Sequence, residues 1–78
     1  MSSQIMSPLP GTFYRKPSPE EAVFKEIGDQ VAVGDVIGLG EVMKTFREVK
    51  ADKAGTITEF HADNEDAVMA GQPLVTLA

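Results

Sequence analysis

The chain has 78 residues, twelve acidic against seven basic side chains, a formal net charge of −5, a single His and no Cys. That length allows one domain, spanning 1–78, with a thin core. The charge argues against a nucleic-acid or acidic-membrane surface, and the absent Cys and lone His61 leave no disulfide, thiolate metal site or His cluster.

No apolar run is long enough to cross a bilayer. Met1–Gln4 lacks the order of a signal peptide, so a cytoplasmic protein is expected. Residues 1–4 are expected to fray. Ile5 to Ser7 start a short strand. Pro8, Leu9, Pro10 and Gly11 make a turn, and Thr12 to Tyr14 are β-prone. Pro17, Ser18 and Pro19 interrupt any ladder, so the stretch to Phe24 is an excursion from the sheet. Within it Glu20, Glu21 and Ala22 could form one helical turn capped by Ser18.

Ile27 to Gln30 return the chain through a turn, and Val31 to Val33 form a very short strand. Val36–Glu41 and Thr45–Lys50 read as two arms folded back on each other, with Met43 and Lys44 near the bend. Ala51–Gly55 is a turn and Gly55–Phe60 a strand. His61–Asp66 is a polar loop, Val68 and Met69 a short strand, and Pro73–Leu77 the closing strand. Short strands with frequent turns indicate an all-β barrel or sandwich.

The two halves resemble each other. Ser7–Phe13 aligns with Ala51–Ile57 at an offset of 44, and Val31–Ile37 aligns with Val68–Leu74 at an offset of 37. The first half therefore holds 7 extra residues (44 minus 37), which fall in the Pro17–Phe24 excursion. Pseudo-twofold symmetry would place Lys44 at the junction of the halves.

Candidate sites are few. Gly34, Gly38 and Gly40 look glycine-rich, but Met43 stands where a dinucleotide-binding loop needs its last glycine. Asp52, Lys53, Ala54 has the look of a lipoyl attachment triplet, yet it lies at the repeat boundary. Glu59, Asp63, Glu65 and Asp66 read as a solvated face without calcium-loop spacing. No nucleophile–base pair or metal constellation is evident. Met43, an apolar side chain at a turn, marks the tip as unusual.

Glu41, Val42, Met43, Lys44, Thr45 resembles the Glu-Ala-Met-Lys-Met modification motif of biotin carboxyl carrier domains, in the biotinyl/lipoyl attachment family. The resemblance runs from about Ile5 to Leu77. It is carried also by Ser7–Arg15 followed by Pro17, Ser18, Pro19, by Val33, Gly34, Asp35, and by Lys50–Thr56. Val42, Thr45 and Gly40 depart from the family pattern.

The resemblance implies a flattened barrel of two four-stranded antiparallel sheets, with the lysine on an exposed turn. It implies covalent biotin on Lys44 and ligase recognition through Glu41, Val42, Met43 and Thr45. The excursion Pro17, Ser18, Pro19, Glu20, Glu21, Ala22, Val23, Phe24 becomes the thumb of acetyl-CoA carboxylase carriers. The implied role is a carrier, not a complete enzyme. It would be served by a biotin protein ligase, a biotin carboxylase and a carboxyltransferase acting on an acyl-CoA in fatty-acid synthesis. A lipoyl carrier and an unmodified β-barrel interaction module are the alternatives. Met43 and the thumb-like insertion count against the lipoyl reading.

Overall fold

The structure, a computed structural model, describes residues 3–78. Eight strands follow one another: β1 Ser3–Met6, β2 Gly11–Tyr14, β3 Gln30–Val31, β4 Val36–Val42, β5 Thr45–Lys50, β6 Gly55–Phe60, β7 Asp66–Val68 and β8 Pro73–Leu77. They form two four-stranded sheets, ordered β1-β8-β6-β3 and β5-β4-β2-β7, with every pairing antiparallel. The expected all-β architecture is therefore present. Among the described residues no helix is long and apolar enough to cross a membrane.

Exchanging β1–β4 for β5–β8 turns one sheet order into the other, which is the pseudo-twofold symmetry the repeat implied. The repeat extends to single hydrogen bonds. Ser7 N–H donates to Gln72 O and accepts on its own carbonyl from Gly71 N, both at 2.8 Å; Ala51 does the same with Asp35 and Gly34, again at 2.8 Å. Gly34 and Gly71 take φ of 96° and 83°, where a Cβ would strain the turn. Each offset thus marks a turn that clamps the start of a strand in its own half to a loop in the other.

The core obeys the same pairing. Ile5, Phe13, Val31 and Ile37 from the first half match Val49, Ile57, Val68 and Leu74 from the second, and all eight are buried. Phe13 is larger than its counterpart Ile57, and the first half compensates with Gly38 where the second has Val75. A Cβ on Gly38 would lie 2.5 Å from the Phe13 ring. Gly40 has a similar cause. It forms no gap in the arm, because the Leu9 side chain fills the space 3.1 Å from where its Cβ would be.

Several sequence expectations need correction. Residues 1 and 2 lie outside the described residues, but Ser3 and Gln4 are not frayed: they pair with Leu77 and Thr76. The third strand is Gln30–Val31 and the seventh Asp66–Val68, each shifted toward the N-terminus. In both cases the glycine turn starts as soon as one buried Val is placed, which leaves Val33 and Met69 exposed. Glu20–Ala22 is not helical. Glu21 N–H donates to Ser18 O at 3.2 Å and closes a single turn, and a segment this short cannot repay helix nucleation.

Asp35 gives a test of the turn geometry. Its Oδ2 accepts from Ala32 N–H at 2.9 Å and lies 3.5 Å from Lys25 Nζ; at the matched turn Gln72 Oε1 accepts from Met69 N–H at 3.0 Å. The Ala32 hydrogen bond, helped by Lys25 and opposed by desolvation, holds the Asp35 carboxyl below its ordinary value of 3.8. A folded-state value below the unfolded one stabilises the fold above the unfolded value, and this is lost as pH falls through the folded one. Asp35→Asn keeps an acceptor but removes the charge. The wild type should exceed it in stability at neutral pH, and the difference should begin to shrink below about pH 4 and be lost as pH falls through the lower folded value. Denaturant melts across that range measure it, and a pH-independent difference would contradict the assignment.

Candidate functional site

The β4–β5 hairpin projects Met43 and Lys44. Its register runs Leu39↔Glu48, Gly40↔Arg47, Glu41↔Phe46, Val42↔Thr45, so the connection has only two residues. Both are left-handed, with φ of 51° at Met43 and 66° at Lys44. Positive φ at both central positions is the type I′ turn, whose twist suits a two-residue hairpin and whose preferred residues are Asn and Gly. A side chain in this conformation costs about 1 kcal/mol or more per residue. The sequence therefore keeps two poorly suited residues at a strained tip, a pattern associated with function.

Met43 is 93% exposed, the most exposed large apolar side chain among the described residues. Lys44 is exposed too, and its ammonium takes part in none of the ion pairs among the described residues. Residues directly opposite in a ladder share a face. That puts Thr12, Tyr14, Leu39, Glu41, Phe46 and Glu48 on the outer face of the sheet below the tip. Tyr14 donates its hydroxyl to Glu41 Oε1 at 3.0 Å, and its ring lies 5.8 Å from that of Phe46. This hydrogen bond, then burial and the charges of Glu41 and Glu65, raise the Tyr14 phenol above its ordinary value. Of the four flanking residues singled out from sequence, Val42 and Glu41 are half-buried, whereas Met43 and Thr45 face solvent.

The excursion arches over this face. Phe24 N–H donates to Arg15 O at 2.9 Å, so the loop closes at its base and Phe24 belongs to that base. Arg15 ties the base down. Its backbone N–H donates to Asn64 Oδ1 at 2.8 Å, its Nη2 donates to Lys25 O at 3.2 Å, and its guanidinium stacks 3.9 Å over the Phe60 ring. Between loop and sheet lies a cleft of about 420 Å³, lined by Tyr14, Lys16, Pro17, Ser18, Pro19, Leu39, Phe46, Asn64 and Glu65. Phe46 stands two residues along the strand from Lys44, about 7 Å away.

Tyr14, Phe46, Leu39 and Arg15 were not singled out from the sequence. Their grouping depends on the β2–β4 register and on a loop 49 residues from Arg15, neither of which leaves a local signal. Lys53, the other lysine considered, sits at the opposite end of the fold. Its Nζ donates to Gln4 O at 2.8 Å. His61 lies 3.8 Å from Glu59, and its Nε2 lies 2.6 Å from Thr76 Oγ1. Glu59, Asp63, Glu65 and Asp66 are exposed as expected. Asp66 Oδ2, however, accepts from Asp63 N–H at 2.8 Å, as Asp29 Oδ2 does from Glu26 at 2.9 Å in the first half.

Residues 3–77 match the family model described as "Biotin-requiring enzyme". The biotin carboxyl carrier protein of acetyl-CoA carboxylase from Nostoc sp. is 40% identical over 75 residues, covering 96% of this chain and 41% of that protein. Its namesake from Haemophilus influenzae is 41% identical over 73 residues, covering 94% of this chain and 47% of that protein. The chain thus spans less than half the length of these curated relatives. Among solved structures, the crystal structure of Kluyveromyces lactis urea carboxylase superposes with a TM-score of 0.78 at 27% identity. The match covers 100% of this chain and 6% of that one.

Proposed function

The chain belongs to the family of biotin-requiring enzymes, and from that premise we propose that Lys44 is its site of covalent biotin attachment. The observation that carries the proposal is the tip itself. A lysine that takes part in no ion pair among the described residues stands beside a bare methionine on a left-handed turn that neither residue favours. An amide between Lys44 Nζ and the biotin carboxyl would remove the ammonium charge and lengthen an arm that already points into solvent. Bound there, biotin supplies a ureido ring that takes up and releases a carboxyl group.

The protein's own residues hold, present and shield. The hairpin lifts Lys44 clear of the body. Met43 and Thr45, with Val42 and Glu41 behind them, form the surface that a biotin protein ligase would grip. Glu41 reaches that surface with its carboxylate already fixed by Tyr14. The thumb, Pro17–Phe24, and the apolar floor of Leu39 and Phe46 lie beside the arm as a partly apolar surface. Lys16, Ser18 and Asn64 offer polar atoms at its rim.

The proposed role is that of a carrier and not of a catalyst. The group would be loaded at a biotin carboxylase and delivered at a carboxyltransferase acting on an acyl-CoA, with acetyl-CoA and fatty-acid synthesis the leading case. Tethering turns two bimolecular encounters into an intramolecular search. The proposed setting is the cytoplasm. A lipoyl carrier is not favoured, because the family description names biotin.

Intact-mass measurement after incubation with biotin ligase, biotin and ATP tests the assignment. One biotinyl increment is expected on the wild type and none on Lys44→Arg. An increment that survives Lys44→Arg would move the site elsewhere. Modification by a lipoyl ligase alone would replace the cofactor.

A further inference from the structure

We infer that the Met43–Lys44 turn is also a hinge, through which two copies of this chain can exchange halves to form a dimer. The connectivity supplies the first reason. The first half, β1–β4, and the second half, β5–β8, are joined covalently only through Met43 and Lys44. Yet β1 pairs with β8, β2 with β7, β3 with β6 and β4 with β5. Only β2–β4 and β6–β8 are pairings within one half. Four of the six strand pairings therefore join one half to the other, and a second copy offers the same partner surface.

The register supplies the second reason. From Leu39↔Glu48 to Val42↔Thr45 the ladder advances one residue on each strand without a shift. If the turn opens and β4 runs straight into β5, the next two pairs are Met43 with the partner's Lys44 and Lys44 with the partner's Met43. No residue is gained or lost, so two opened chains form one continuous ribbon over 36–50. Each end of the ribbon keeps the β4–β5 ladder of the closed form, and one barrel packs on either face.

Strain supplies the third. In the closed form Met43 and Lys44 sit at φ of 51° and 66°; in the ribbon both return to extended backbone, in both chains. A short hinge held in an unfavourable conformation is the recognised setting for such exchange. Because the halves interlock, closed and exchanged forms interconvert only by unfolding, so an exchanged dimer, once formed, persists. The exchange removes Lys44 from a protruding tip and lays it in the middle of a ribbon. Whether that lysine carries biotin does not enter the argument.

The test is refolding of the full chain from denaturant at low and high protein concentration, followed by chromatography with light scattering. A dimer is expected whose share grows with concentration during refolding, which survives later dilution and which reverts only after unfolding. Met43→Asn with Lys44→Gly, which gives the turn its preferred residues, should lower the dimer share by at least about tenfold, since each residue relieved of left-handed strain shifts the balance by roughly that factor. Monomer alone at every refolding concentration would overturn the inference. So would a dimer that dissociates at once on dilution, or one formed equally by the Asn-Gly variant.

Discussion

Gly38→Ala is expected to destabilise the fold by about 3 kcal/mol, the range of severe overpacking. A Cβ at this position would stand 2.5 Å from one atom of the Phe13 ring, 2.7 Å from another and 2.7 Å from the Tyr14 carbonyl oxygen. None of these can retreat cheaply. Phe13 is 1% exposed and fills the centre of its sheet, and the Tyr14 carbonyl belongs to β2, the strand paired with β4. For a domain of this size the loss should lower Tm by more than about 10 °C. Adding Phe13→Leu should recover part of it, because the ring contacts disappear while the carbonyl contact remains. Thermal melts of the single and double variants decide the matter. A Gly38→Ala protein as stable as the wild type would mean that the ring and the glycine are not a matched pair.

The second large effect has two opposite signs. Met43→Asn combined with Lys44→Gly should raise stability by about 2 kcal/mol, by removing two side chains from left-handed backbone. The same variant should take up no biotin at all. Denaturant unfolding and intact mass after ligase treatment give the two readings on one sample. A variant no more stable than the wild type would show that the tip is not strained. The expected opposition follows from the proposed site: on that reading the turn carries what a ligase would grasp, not what the hairpin would choose.

Much of the fold was legible in the sequence because its signals are local. β6 and β8 run as expected, Gly55–Phe60 and Pro73–Leu77, each starting where a turn residue ends a loop. The hairpin was legible because β-prone residues flank a single bend; Lys44, the proposed attachment site, was singled out by the motif around it. The insertion was located by comparing two offsets, a long-range signal that single residues do not carry. What stayed hidden depends on register. Gly38 and Gly40 look like weak points in a strand until Phe13 and Leu9 are seen to occupy the space beside them. The cleft is hidden for the same reason, since Tyr14 meets Phe46 only through strand β4 between them. Ser3 and Gln4 were expected to be loose, because nothing near them in sequence announces β8 as their partner.

The two ends of the β4–β5 hairpin have different mechanical duties. At its foot, Ala51 N–H is bound to Asp35 O at 2.8 Å, the following loop reaches Gln4 through Lys53, and the start of β6 reaches Ala78 through Thr56. Ser3 pairs with Leu77 in that region. Lys44 is carried at the other end, about 20 Å up the six-residue arm. A pull or pivot applied through either of those strand ends acts at the foot, so the barrel would act as a lever with the proposed attachment site at its free end. A small rotation at the pivot becomes a wide sweep of the lysine, with no joint in between to absorb it.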